Sequence, residues 1–187
     1  MRSTLLAAAL ALAALSPAAH ADTLPADGSW AGFTVDANLP PYAFGWVDDA
    51  GAALSFSVTI AAGHVGTLTV VDAGFSGDRF QVWDGAKLLG STGAAVNGDS
   101  AGAITFDYDA ALANADFSRG SFTLGAGTHV ITGLMFASTT DAFGPLNATI
   151  GGVKVAVSAV PEPASAATLL IGLGLLIGAL RRRNAAV

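Results

Sequence analysis

Four aspartates stand where carboxylates could gather around a cation. Asp72, Asp78, Asp107 and Asp109 lie at the ends of apolar stretches or in turns. Calcium takes about six to eight oxygen ligands, and carboxylates at loop ends suit it. In Asp107-Tyr108-Asp109 the two carboxylates share one side if the chain is extended there. These four are the tentative calcium ligands, and calcium is the candidate cofactor. The competing reading makes the same side chains turn caps. Arg79 follows Asp78 and is expected to pair with an aspartate, or to meet a ligand carboxylate.

Aromatic side chains offer a second chemistry. Trp30, Tyr42, Trp46 and Trp83 could form a platform for glycan binding, since an aromatic face receives the C–H edge of a sugar. Trp83 alternates with Phe80 and Val82, so it points to the opposite face. The alternative is that these rings pack in the core. Catalysis is short of parts. His64 and His129 are far apart, there is no cysteine, and no His-Glu-x-x-His pair occurs. Paired aspartates could serve a polysaccharide hydrolase, but glutamate, the common acid of that reaction, is missing between Asp22 and Val160. The expectation is a non-enzyme.

Charge narrows the partners. Between Asp22 and Val160 there are 13 aspartates and four basic residues, Arg79, Lys87, Arg119 and Lys154, so the formal charge is 4 − 13 = −9. Nucleic acid needs a basic footprint and is excluded as a partner. The exclusive use of aspartate points to turns rather than helices.

The elements that would carry these residues are strands. Leu54, Phe56, Val58 and Ile60 alternate with Ser55, Ser57 and Thr59. The same period appears at Leu68–Val70, Phe80–Trp83, Ile104–Tyr108, Phe122–Leu124, His129–Phe136 and Val153–Val157. Asp49-Ala50-Gly51, Ser76-Gly77-Asp78, Asn97-Gly98-Asp99 and Gly125-Ala126-Gly127 read as turns, and Asp84-Gly85 as a hairpin turn. Asp109 to Phe117 reads as a short helix with Asp109 as N-cap. The pattern predicts an all-β antiparallel sandwich or jelly roll of about seven to nine strands over residues 22–160; a closed barrel is the alternative.

Both ends of the chain carry targeting features. Residues 1–21 read as a signal peptide: Met1-Arg2 is basic, Leu5–Leu15 is apolar, and Ala19-His20-Ala21 fits the small-x-small rule of signal peptidase. Residues 161–187 form a tail in three parts. Pro161-Glu162-Pro163 cannot continue a helix or ladder. Ala164–Leu180 has no charge, spans roughly 25 Å as a helix and reads as a transmembrane segment. Arg181, Arg182 and Arg183 form a basic stop on the cytoplasmic side.

This layout resembles the PEP-CTERM signal of exopolysaccharide-producing Gram-negative bacteria. The resemblance implies that Pro161, Glu162 and Pro163 are recognised by exosortase, a multi-pass membrane enzyme. It implies a transient single span in the inner membrane, followed by a cell-surface or extracellular location. Two further segments, Val71–Gly85 and Asp116–Phe122, resemble stretches of PEP-CTERM-tailed surface proteins. Together these readings give an exported, non-catalytic surface module with exopolysaccharide as candidate partner. The alternatives are a structural surface protein without a ligand, or a polysaccharide hydrolase.

Overall fold

The computed structural model describes residues 20–40, 43–95, 99–160, 168–169, 171–173, 177 and 181. Among these residues it is an all-β protein with one short helix in the folded domain. The strands are β1 (His20–Thr23), β2 (Ala31–Asp36), β3 (Leu54–Ile60), β4 (His64–Phe75), β5 (Arg79–Asp84) and β6 (Lys87–Ser91). They continue as β7 (Ile104–Thr105), β8 (Arg119–Leu124), β9 (Gly127–Ala137), β10 (Thr140–Asp141), β11 (Gly144–Pro145) and β12 (Ala148–Ala159), with α1 at Tyr108–Ala113. Twelve strands exceed the expected seven to nine, because three of them are two-residue pairings that alternation cannot reveal.

Two five-stranded sheets form the domain. One has the order β1-β3-β9-β5-β6; the other has β2-β12-β4-β7, with β8 also paired to β4. The pairing is antiparallel except for β1, which runs parallel to β3. The alternating residues of β3 face inward as expected, with Leu54, Phe56, Val58 and Ile60 buried. They meet Leu68, Val70, Val153 and Val155 of the other sheet in a single core. Phe33 stacks on Trp46 at 4.1 Å between ring centroids and meets Phe80 edge-on at 5.1 Å. A Cβ on Gly133 would lie 2.0 Å from the Trp46 ring, so only glycine lets the indole settle over β9.

A second, smaller core lies outside the β4 sheet. Val71, Ala73, Ala111 and Phe117 are buried there, with Trp30, Tyr108, Leu112 and Ile150 packed on them. It explains why β4 is buried on both faces from Leu68 to Gly74.

The sequence pattern and the structure part at α1. The strand expected through Ile104–Tyr108 stops at Thr105, and the helix starts at Tyr108. Its N-cap is Asp107, not Asp109: the Asp107 side chain accepts from the N–H groups of Asp109 and Ala110. The Asp84-Gly85 hairpin forms as expected, with Asp84 opposite Lys87 and Gly85 at φ 54°.

The signal-peptide reading falls on residues 1–19, outside the described residues, apart from His20 and Ala21, which belong to β1. Pro161, Glu162, Pro163, Arg182 and Arg183 also lie outside them, as does most of the 164–180 segment. Its described members, Thr168, Leu169, Ile171, Gly172, Leu173 and Ile177, are helical, as is Arg181. Among the described residues no helix is long and apolar enough to cross a membrane.

Candidate functional site

The loop from β4 to β5 brings Asp72 and Asp78 into the interior. Gly74 at φ 80° and Gly77 at φ 127° allow the chain to turn where a side chain would be strained. Both aspartates are at most 1% exposed. Asp72 Oδ2 accepts from the N–H groups of Gly77 at 3.0 Å and Asp78 at 3.1 Å, and Thr149 Oγ1 lies 3.4 Å from Oδ1. Asp78 Oδ1 accepts from Thr139 N at 3.0 Å. The segment around Ser118 closes the loop. Asp72 N donates to Ser118 O at 2.9 Å, and Ser118 Oγ donates to Asp78 O and contacts Thr92 Oγ1. The two segments that resemble stretches of sorted surface proteins therefore meet in one buried network.

Within that network both carboxyls hold their protons more tightly than usual. Burial pushes the Asp72 carboxyl up to about 9, and the neighbouring Asp78 charge adds to the rise. Burial also raises Asp78, against the backbone bond from Thr139. The other two tentative calcium ligands are elsewhere. Asp107 caps α1, while Asp109 accepts from Trp30 Nε1 at 2.9 Å and from Lys154 Nζ at 3.2 Å. Asp72, Asp78, Asp107 and Asp109 thus form two pairs rather than one set. Among the described residues no group of three or more His, Cys, Asp or Glu could hold a metal ion.

Arg79 does not turn to Asp78, because the Asp78 side chain points inward and Arg79 is next along the strand. Its guanidinium sits 4.8 Å from the centre of the Phe136 ring, and Nη2 reaches Thr92 O at 3.5 Å. The four aromatics of the expected platform also separate. Trp46 is a core residue, 2% exposed. Trp30 tilts against Tyr108 outside the β4 sheet, with Lys154 over its ring at 4.1 Å. Tyr42 lies outside the described residues. Only Trp83 lies on the outer face of the β9 sheet, opposite Thr132 and Leu88.

That outer face is apolar in a way the sequence reading passed over. Register places Val130, Leu134 and Phe136 of β9 on it, beside Trp83 and Gln81 of β5 and Ser57 of β3. Val130, Leu134, Phe136 and nearby Phe44 are each about 40% exposed. Phe44, Leu134, Phe136, Pro145 and Asn147 line a shallow pocket of 420 Å³ there. The signal was present: from Val130 to Phe136 apolar residues occur at both parities, not only at alternate positions.

Two further features bear on catalysis. Gly98-Asp99-Ser100-Ala101-Gly102 has the spacing of a serine nucleophile elbow, which needs a strand before it and a helix after it. Here Ser100 sits in a turn closed by Gly102 N to Asp99 O at 3.0 Å, and β7 follows. β7 pairs with the end of β4, whereas His64 opens β4 and His129 lies at that same far end, opposite Val58. His129 Nδ1 lies 2.7 Å from Asp84 Oδ2, and Nε2 lies 2.9 Å from Gly125 O. Both neighbours are acceptors, an arrangement that favours the doubly protonated ring. Burial alone would lower its pKa; the bonds to Asp84 and Gly125 outweigh it and the net shift is upward. Both ring nitrogens are engaged, one by the Asp84 carboxylate and one by the Gly125 carbonyl.

Comparison with known proteins identifies the tail. Residues 159–183 match the PEP-CTERM protein-sorting motif, so the chain carries a PEP-CTERM sorting domain. That motif implies exosortase processing, export across the membrane and a cell-surface location, with a C-terminal membrane anchor before processing. No curated protein matches the chain. Among solved structures, the pre-peptidase C-terminal domain of a Bacillus anthracis collagenase is similar at TM-score 0.41 and 7% identity, covering 75% of this chain and 98% of that one. The Aeromonas hydrophila periplasmic inhibitor of g-type lysozyme, PliG, is similar at TM-score 0.31 and 11% identity, covering 74% and 97%.

Proposed function

We propose that this PEP-CTERM-tailed chain is a non-catalytic surface module that associates with exopolysaccharide through the outer face of the β9 sheet. The observation that supports it is the apolar patch in which Val130, Leu134, Phe136 and Phe44 are exposed and Trp83 is half-buried on the same face. Exposed apolar patches of this kind mark interaction sites, and aromatic rings receive the C–H faces of sugars. Gln81 and Thr132 lie among them and supply groups that can bond hydroxyls. In this reading signal peptidase removes residues 1–21, and residues 164–180 hold the chain as a single span in a Gram-negative inner membrane until exosortase acts. The mature domain then joins the matrix at or beyond the cell surface. Calcium has no part in it.

Co-sedimentation of the mature protein with the producing cells' own exopolysaccharide tests the proposal. Binding should saturate and persist in EDTA. Trp83→Ala should weaken it about tenfold, as expected for a central aromatic anchor. Failure of the wild-type protein to bind would leave a structural surface protein without a ligand.

A further inference from the structure

The sorting motif begins inside the fold. Its first matched residue, Ala159, is the last residue of β12 and pairs with His64, the first residue of β4. Ser158 pairs with Val65, and Val160 N donates to Gly63 O at 2.8 Å. Pro161 follows at once. The residues that a processing enzyme meets on the N-terminal side of Pro161-Glu162-Pro163 are thus tied into a sheet.

Tether length makes this matter. From Val160 to Ala164 is four residue steps, about 14 Å fully extended. Residues 161–163 are therefore all that separates the edge of a folded domain from the apolar segment. An enzyme that takes an extended substrate needs main chain free on both sides of its target.

The end of β12 is built so that it can supply that length. β2 pairs with β12 only from Ala148 to Val153, and Ala156 adds one isolated bridge to Asp27. Ser158, Ala159 and Val160 are held from one side and are exposed. Val157 is packed against the core, and Val155 is fully buried. Opening from Val160 back to Ser158 breaks ladder bonds at a rim and uncovers no buried side chain. Opening beyond Val157 would breach the core. Stopping there leaves seven steps to Ala164, about 25 Å.

We propose that exosortase processing requires Ser158–Val160 to peel from His64 and Gly63, so that the β4–β12 rim controls the rate of sorting. This rests on the exosortase reading of the tail.

The test follows processing of the full chain in the producing cells by pulse-chase. His64→Cys with Ala159→Cys locks the rim, because directly paired strand residues lie within disulfide reach. The chain has no other cysteine to compete. The locked protein should be processed at least about tenfold more slowly, since the rim opening is blocked, and should recover under reductant. Inserting Gly-Ser-Gly-Ser between Val160 and Pro161 should speed processing of the unlocked chain and rescue the locked one. The insertion alone also serves if the locked protein misfolds. Equal rates for wild-type, inserted and locked chains, with Glu162→Ala still unprocessed, would overturn the rim proposal and leave the tail reading standing. Normal processing of Glu162→Ala would overturn both.

Discussion

β4 and β9 are the most instructive pair of strands in the molecule. Each is interior to its sheet, and each carries apolar residues on both faces. Over β4 the outward residues are covered: Val71 and Ala73 are sealed beneath α1 and Phe117. Over β9 among the described residues the Arg79 guanidinium covers part of Phe136, and Leu134 and Phe136 stay about 40% exposed. The same sequence pattern therefore makes a second core in one sheet and an open apolar face in the other. Segment Asp107–Ser118 decides the difference, through the Asp107 cap that starts α1 and the turn that sets Phe117 on the sheet. Apolar side chains without a cover are free to meet a partner.

Substitutions on the two faces should separate most widely. Phe117→Ala empties the covered side and should cost about 3–5 kcal/mol of unfolding free energy. Phe136→Ala on the open face, which loses the contact with the Arg79 guanidinium, should cost no more than about 1–1.5 kcal/mol. Urea unfolding reads both, and equal losses would mean that the open face is packed after all.

Asp72 sharpens the comparison from beneath the covered side. Asp72→Ala strands the Gly77 and Asp78 N–H groups in the interior and should cost about 2–4 kcal/mol. Asp72→Asn keeps an acceptor for both and should be close to neutral, or stabilising above pH 7. Chemical denaturation of the two variants distinguishes a buried strut from a charge that the fold needs.

Titration gives a smaller effect with a definite sign. Asp72 and His129 both have raised pKa values in the folded protein. Such groups bind protons more tightly folded than unfolded, so their stabilising effect is full at low pH and lost as pH rises. For Asp72 the loss runs from the ordinary carboxylate range near 3.8 up to about 9. For His129 it begins near 6.5 and continues above it. Asp27 and Asp109 are lowered, by bonds from Ser29 and from Trp30 and Lys154 respectively, and act in the opposite sense, losing their contribution as pH falls below about 3.8. Stability should therefore be highest in mild acid and decline towards pH 9, by at most about 1.4 kcal/mol per pH unit per group. Asp72→Asn should remove its share of the decline and leave those of Asp78 and His129. A wild-type domain that gains stability between pH 5 and pH 8 would contradict this assignment.

Much of the fold can be read along the chain because inward residues alternate where one face is buried and the other is wet. β3, β5 and the Asp84-Gly85 hairpin follow that rule. β4 departs from it because its second face is buried by a segment distant in sequence. The helix start is misplaced by two residues because Asp107 and Asp109 are equally good caps, and only the ending of β7 at Thr105 selects the first. The site is harder. Trp46 and Trp83 look alike in sequence; Gly133 makes room for one in the core, and register with Thr132 turns the other outward. Asp72 and Asp78 look like cation ligands until the loop folds backbone N–H groups onto them. The sorting tail is legible because its signals are local: three residues, an apolar run and a basic cluster in order.

The open face is the central claim, and binding to it is its most direct test. Co-sedimentation with the native exopolysaccharide should compare the wild-type protein with Trp83→Ala/Phe136→Ala and with Phe106→Ala, an exposed phenylalanine outside the β9 sheet, near the β4–β7 pairing. The account predicts saturable binding, abolished in the double variant and unchanged in Phe106→Ala, with all three proteins folded. Undiminished binding by the double variant would contradict it.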